Sequence, residues 1–288
     1  MKKKAFFYII LAGILWGTSV IFANLLKPFG FTSVQMTFFR AVVSLVIMSG
    51  YGVAFNRKIF VVSFKELLLF AAIGISFFMT ATFYYYSMQA TSAATGVVLM
   101  YLAPAIVMVY SVLFFKEKLT IIKGLSVAGM LVGCFLVSGI IGGMVFDPFG
   151  IFVGVLSGIT YGAYNILTKV ATNRKGEPTS IILYCFLFAA IASFFVCQPT
   201  LAVEIIVQKP ITFILVVLLG ICTCILPYFF YTLGMKYLPA GTASAMGIVE
   251  PMSATLFGLV LGEKPGILPW VGIVLILLAI FFLGKAEK

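Results

Sequence analysis

MGIVEPMSATLFGLVLGEKP, residues Met246 to Pro265, is apolar or small apart from an acid beside a proline, Glu250-Pro251, and the Glu263-Lys264-Pro265 that closes it. A helix needs about 20 apolar residues to cross a hydrocarbon core of about 30 Å, and this stretch supplies them. An ionised carboxylate facing lipid midway along such a helix costs on the order of several kcal/mol. Glu250 is therefore expected to face protein or a water-filled cavity, in a chain whose solvent is partly lipid.

The remaining sequence repeats that pattern. Over 288 residues, 63% are hydrophobic and only 9% charged, against about 25% charged in soluble domains, and the mean hydropathy is +1.21. Apolar blocks predict ten transmembrane helices: Phe6 to Leu26, Thr32 to Gly52, Glu66 to Met88, Ser92 to Phe115, Ile121 to Ile141, Phe149 to Ala171, Thr179 to Gln198, Pro210 to Met235, Ala240 to Gly262 and Ile267 to Gly284. The breaks carry turn chemistry, as in Lys27-Pro28-Phe29-Gly30 and Asp147-Pro148. Met1-Lys2-Lys3-Lys4 ahead of an apolar run resembles the start of a signal peptide. No small-residue cleavage site follows it, and the run is long enough to span, so it is read as helix 1. The fold class expected is an all-α integral membrane protein.

The formal net charge of +11 raises the question of nucleic acid, and the position of the bases answers it. With the N-terminus in the cytoplasm, fifteen of the 19 Lys and Arg residues, Lys288 among them, fall on the inner side; Lys27, Lys209 and Lys264 fall outside; Arg40 falls within helix 2. Such asymmetry fixes orientation. It places both termini in the cytoplasm and leaves no nucleic-acid footprint to explain. The five cysteines lie in apolar segments without a C-x-x-C pair and histidine is absent, so no Cys/His metal site is expected and the thiols read as small hydrophobes.

Sliding the chain along itself by 147 residues aligns Thr32-Ser33 with Thr179-Ser180, Phe83-Tyr84 with Phe230-Tyr231, Met88 with Met235, Ala93 with Ala240, Thr95 with Thr242 and Pro104 with Pro251. Slightly shorter shifts align Gly13 and Gly17 with Gly158 and Gly162, and Glu117-Lys118 with Glu263-Lys264. The order of these matches through the chain defines two repeats, 1–145 and 146–288. Each holds five predicted helices, an odd number, so the second half enters the membrane from the opposite side and the repeats are inverted. Inverted repeats are a plan of secondary transporters, in which two related conformations open a midplane site to either side in turn.

Trp16-Gly17, the Arg of helix 2, the Pro of helices 4 and 9, and the E-P-x-x-A run from Glu250 to Ala254 followed by L-G-E-K-P from Leu261 to Pro265 resemble the EamA type of the drug/metabolite transporter superfamily, over nearly the whole chain. The resemblance implies a ten-helix carrier in a bacterial plasma membrane, often exporting amino acids or other small metabolites. It further implies a cavity lined by helices 1, 3, 4, 6, 8 and 9, with helices 5 and 10 at the periphery. Ala103 stands in the first half where Glu250 stands in the second, so a role of that acid is not duplicated.

The candidate substrate-binding or coupling residues are Trp16, Thr18, Arg40, Tyr84, Tyr161, Tyr164, Asn165, Tyr231 and Glu250, with Pro104 and Pro251 as helix kinks. Glu250 reads either as a proton-coupling or amine-binding acid or as a packing acid hydrogen-bonded between helices. Arg40 reads as a ligand for a substrate carboxylate or as a partner of Glu250 or a backbone carbonyl. Trp16, Tyr161 and Tyr164 offer stacking faces, and Thr18 and Asn165 hydrogen-bonding groups, while Tyr84 and Tyr231 compete with an interfacial-belt reading. The paired G-x-x-x-G spacings let helix backbones approach closely. No phosphate-binding G-x-x-x-x-G-K-[ST] loop occurs, so a gradient or exchange would drive transport; no cofactor or metal is expected. The partners expected are a small solute, a proton or exchanged solute and the bilayer, with the protein a monomer or weak dimer. An intramembrane enzyme, or a channel or non-transporting membrane partner, are the rival classes.

Overall fold

The computed structural model describes residues 1–139, 147–262 and 264–287. The expected end of helix 5 at Ile141, the repeat boundary at 145, the acid Glu263 and the terminal Lys288 lie outside these residues. Among the described residues there is no strand. The helical segments are α1 (Lys2–Phe29), α2 (Ser33–Phe55), α3 (Phe64–Ala90), α4 (Ala93–Phe114), α5 (Ile121–Val137), α6 (Pro148–Asn173), α7 (Pro178–Phe194), α8 (Ile211–Met235), α9 (Ala240–Val260) and α10 (Ile267–Ala286). Eight are long and apolar enough to cross a membrane. Of the others, α5 has 17 residues, and α7 forms a ninth candidate only together with the short helix Pro199–Gln208, from which a 100° bend separates it.

The starts of α2 to α6 follow from side-chain caps. Thr32 and Gln35 form a reciprocal capping box at α2, Ser63 and Glu66 another at α3, and Ser92, Thr120 and Asp147 cap α4, α5 and α6. Each supplies an acceptor to one of the first-turn N–H groups that a helix leaves unpaired. The N-terminus of α9 lacks such a local cap. There Glu117, from the chain just past α4, accepts from Ala240 N at 2.9 Å.

The prolines act one turn later than a mid-helix kink. Helix α4 is interrupted at Tyr101-Leu102 and resumes at Ala103; α9 is interrupted at Gly247-Ile248 and resumes at Val249. Pro104 and Pro251 lie in the first turn of each resumed helix, where a missing N–H breaks no helical bond. The distortion lies on their N-terminal side.

Close contacts relate the two halves. A Cβ on Gly13 or Gly17 of α1 would lie 2.6 Å from Val249 or Ser253 of α9, and one on Gly158 of α6 would lie 2.6 Å from the Leu99 carbonyl of α4. Gly74 of α3 packs on Cys185 and Phe188 of α7, and its counterpart Gly220 of α8 on Val43 of α2. Helices α5 and α10 face each other through Gly133 and Gly272 and turn Leu125, Val132, Val274 and Leu278 outward. Four cysteines are buried and Cys222 is half-buried; all five are free.

Both chain ends lie at one end of the bundle, where Lys2 Nζ donates to the Glu287 carbonyl at 2.8 Å. The Glu287 carboxylate also meets Lys123 Nζ at 2.5 Å and accepts from Thr242 Oγ1 at 2.6 Å. Buried Lys169 of α6 donates to the carbonyls of Met235 and Leu238 at 2.8 and 2.7 Å, holding the end of α8 as a cation at a helix C-terminus does.

Candidate functional site

The interruptions of α4 and α9 put polar chemistry in the middle of the bundle. Pro251 has no N–H to give the Gly247 carbonyl, four residues earlier. That carbonyl accepts instead from Glu250 N at 2.9 Å and from the Tyr101 hydroxyl at 3.3 Å. The Tyr101 hydroxyl also lies 2.7 Å from Glu250 Oε2. Tyr101 itself is 1% exposed, so the break in one half supplies the hydrogen-bond donor for the acid in the other. Residues Ala240 to Val249 are buried without exception, whereas Glu250 is half-buried.

An aromatic cluster adjoins this pair. Tyr228 is its centre, with ring centroids 5.1 Å from Trp16, 5.4 Å from Phe77, 5.7 Å from Tyr164 and 5.4 Å from Phe186, all edge-on. Edge-to-face geometry directs the positive ring edge at the negative face of its neighbour. Trp16 also packs on Tyr231 at 5.1 Å, and Tyr161 bridges Tyr164 to Tyr101 at 6.3 and 6.2 Å. Asn165 donates to the Tyr161 carbonyl at 2.7 Å and accepts from the Tyr231 hydroxyl.

Arg40 reaches the cluster from α2. Its guanidinium carbon lies 5.2 Å from the Phe77 ring centroid, within cation–π range. Its Nε is buried and makes no hydrogen bond among the described residues, and neither ion pair found there involves it. The Trp16 indole N–H is likewise buried without an acceptor. Among the described residues, then, Arg40 takes neither Glu250 nor a carbonyl as partner.

Of the residues singled out from sequence, Trp16, Tyr161, Tyr164, Asn165, Tyr231 and Glu250 meet in one continuous cluster, and Arg40 joins it through Phe77. Tyr231 is fully buried rather than interfacial. Thr18 donates its hydroxyl to the Leu15 carbonyl at 2.6 Å, where α1 is interrupted. Tyr84 packs its ring over Gly96 at the far end of α3. The sequence reading did not single out Tyr101, Phe77, Phe186 or Tyr228. The available signal for Tyr101 was its place three residues before Pro104, at the repeat position of Ile248.

Comparison with known proteins agrees with this architecture. The profile of the EamA-like transporter family matches residues 3–139 and again 148–285. A protein described as an uncharacterized transporter from Archaeoglobus fulgidus is 26% identical over 181 residues; the match spans 63% of each chain, under two thirds of that relative's length. The uncharacterized transporter YwfM of Bacillus subtilis is 22% identical over 290 residues, covering 98% of this chain and 94% of its own. A protein of known crystal structure superposes with a TM-score of 0.81 at 18% identity, covering 100% of this chain and 98% of the other, a likeness of fold alone. With two consecutive family matches laid over an apolar helical bundle, the chain is a multi-pass membrane protein and belongs to the EamA-like transporter family.

Proposed function

We propose that the protein is a secondary active carrier that moves a small amphipathic solute by alternating access. In this reading ten segments cross a bacterial plasma membrane, both termini are cytoplasmic, and 1–145 and 146–288 are inverted copies. Amino acids or similar metabolites are the solutes expected, moved outward. The observation that carries the reading is the exchange of contacts between halves: α1 packs on α9 as α6 packs on α4, and α3 on α7 as α8 on α2. A bundle built of such interchangeable contacts has a second packing, related by a pseudo-two-fold rotation, within reach. At its middle lie an aromatic cluster and one carboxylate, a surface suited to an apolar solute with one or two polar ends. Tight tying at the termini end and the half-burial of Glu250 support access from the opposite end in this conformation.

The test is a solute-loss screen. Cells overproducing the protein are compared with cells carrying Arg40→Ala or Glu250→Gln at matched abundance. Selective loss of one solute class with the unaltered protein, and not with the variants, is the expected result. Solute profiles in all three strains identical to those of cells without the protein would refute the proposal.

A further inference from the structure

We infer that Arg40 and Trp16 form the subsite for a carboxylate group of the transported solute, whose apolar part lies against Phe77 and Tyr228. The inference rests on the carrier reading and gives the solute a chemical class. A guanidinium is always protonated in a protein, so Arg40 brings a fixed positive charge into the apolar bundle, where charge is costly without a partner. Yet no carboxylate of the described residues lies within ion-pair distance, and no protein acceptor takes its Nε. The one nearby acid, Glu250, is engaged by Tyr101. Phe77 offers the guanidinium a π face, which attracts a cation but fills none of its hydrogen bonds.

The second donor is independent of the first. Trp16 reaches the same cluster from α1, its ring 5.1 Å from Tyr228, which is 5.4 Å from the Phe77 under Arg40. Its indole N–H is buried without an acceptor, and indole nitrogen can only donate. Two buried N–H donors that no protein acceptor satisfies, on a shared aromatic wall, are complementary to a group that only accepts. A carboxylate is that group: planar, singly charged and matched to the guanidinium fork. A phosphate would bring a second negative charge towards Glu250 with one arginine to meet it.

The molecule contains two tryptophans, and Trp270 is on the outer face of α10, 44% exposed. Trp270→Phe therefore leaves Trp16 as the sole indole reporter, inside the site. The full-length Trp270→Phe protein, purified into lipid nanodiscs, is titrated with straight-chain and phenyl-substituted carboxylates from acetate to phenylbutyrate and with the matching neutral amides. At least one carboxylate is expected to shift Trp16 emission saturably, and to bind about tenfold or more tightly than its amide, the range of a charge-assisted hydrogen bond. Adding Arg40→Gln is expected to abolish that preference, and Arg40→Lys to retain part of it. Equal affinity for acid and amide, a preference that survives Arg40→Gln, a response to chloride alone, or no response to any carboxylate would overturn the subsite. Because the assay requires no transport, Arg40-dependent binding without counterflow in proteoliposomes would reject the carrier and leave the subsite standing.

Discussion

At the scale of single residues, Glu250 and Tyr101 are the pair on which the centre turns. A half-buried carboxylate deprived of its donor loses the hydrogen bond and keeps part of the desolvation cost, which for a fully buried group is about 1–3 kcal/mol. Tyr101→Phe is expected to lower the apparent unfolding temperature of the purified protein, while Tyr110→Phe, whose ring stacks on Phe114 away from Glu250, should leave it unchanged. Glu250→Gln separates charge from shape. An amide keeps the size and most of the hydrogen bonding, so a coupling role predicts loss of gradient-driven accumulation with solute exchange retained. Normal accumulation with an unaltered pH profile would assign Glu250 to packing. Glu250 and Arg40 were legible in the sequence because charge within an apolar run is conspicuous whatever the fold. Tyr101 was not, since its role depends on a residue 149 positions away and on a helix break that the proline announces only indirectly.

At the scale of elements, glycines decide which helices touch. Within α5 two of them make opposite predictions. Gly124 has nothing within 4 Å of the place a Cβ would occupy, whereas at Gly133 that atom would lie 2.7 Å from Ile276 Cγ1 and 2.9 Å from the Gly272 carbonyl. Gly124→Ala is therefore expected to be neutral or to stabilise by up to about 1 kcal/mol through helix propensity. Gly133→Ala must push α5 off α10 and should lower the unfolding temperature; equal effects of the two would mean that the helices do not meet at Gly272. The segments themselves were legible because long apolar runs leave little else possible. Their lengths were read less well. The sequence is apolar through Val196, yet α7 stops at Phe194 and the chain turns by 100° before Pro199, because Gln198 takes a left-handed conformation and proline opens the next helix. The α1–α9 and α6–α4 partnerships follow from tertiary packing and were visible beforehand only as G-x-x-x-G spacings without named partners.

At the scale of the whole molecule, the two halves share a plan but not their bonding. The end that carries both termini is stitched by Lys123, Thr242, Lys2, Lys169 and Glu117, across six helices. Lys123 and Glu287 are each nearly inaccessible there, with side chains 9% and 5% exposed. Removing one partner of such a pair costs about 3–5 kcal/mol, while replacing both with apolar side chains is often close to neutral. Glu287→Ala is thus expected to lower the unfolding temperature sharply, and Lys123→Met combined with Glu287→Leu to recover most of the loss. Failure of the double variant to recover would locate the effect in the Thr242 hydrogen bond instead. Orientation is testable at the same end: a cysteine at Lys285 should resist an impermeant maleimide in intact cells and react once they are opened.

The position of Glu287 in the chain also sets the order of biosynthesis. A ribosome releases Lys2, Lys123 and Thr242 long before it reaches residue 287. Throughout that interval the lysine that will be buried against Glu287 lacks that counter-ion, and α10, which carries the acid into place, follows the other nine segments. The nascent bundle can therefore gather its other contacts early but can fasten this end only once residue 287 has emerged. Chains interrupted after Phe282 would present membrane-bound quality-control proteases with an unfastened end, and pulse-chase labelling should show them cleared faster than chains that extend through Glu287.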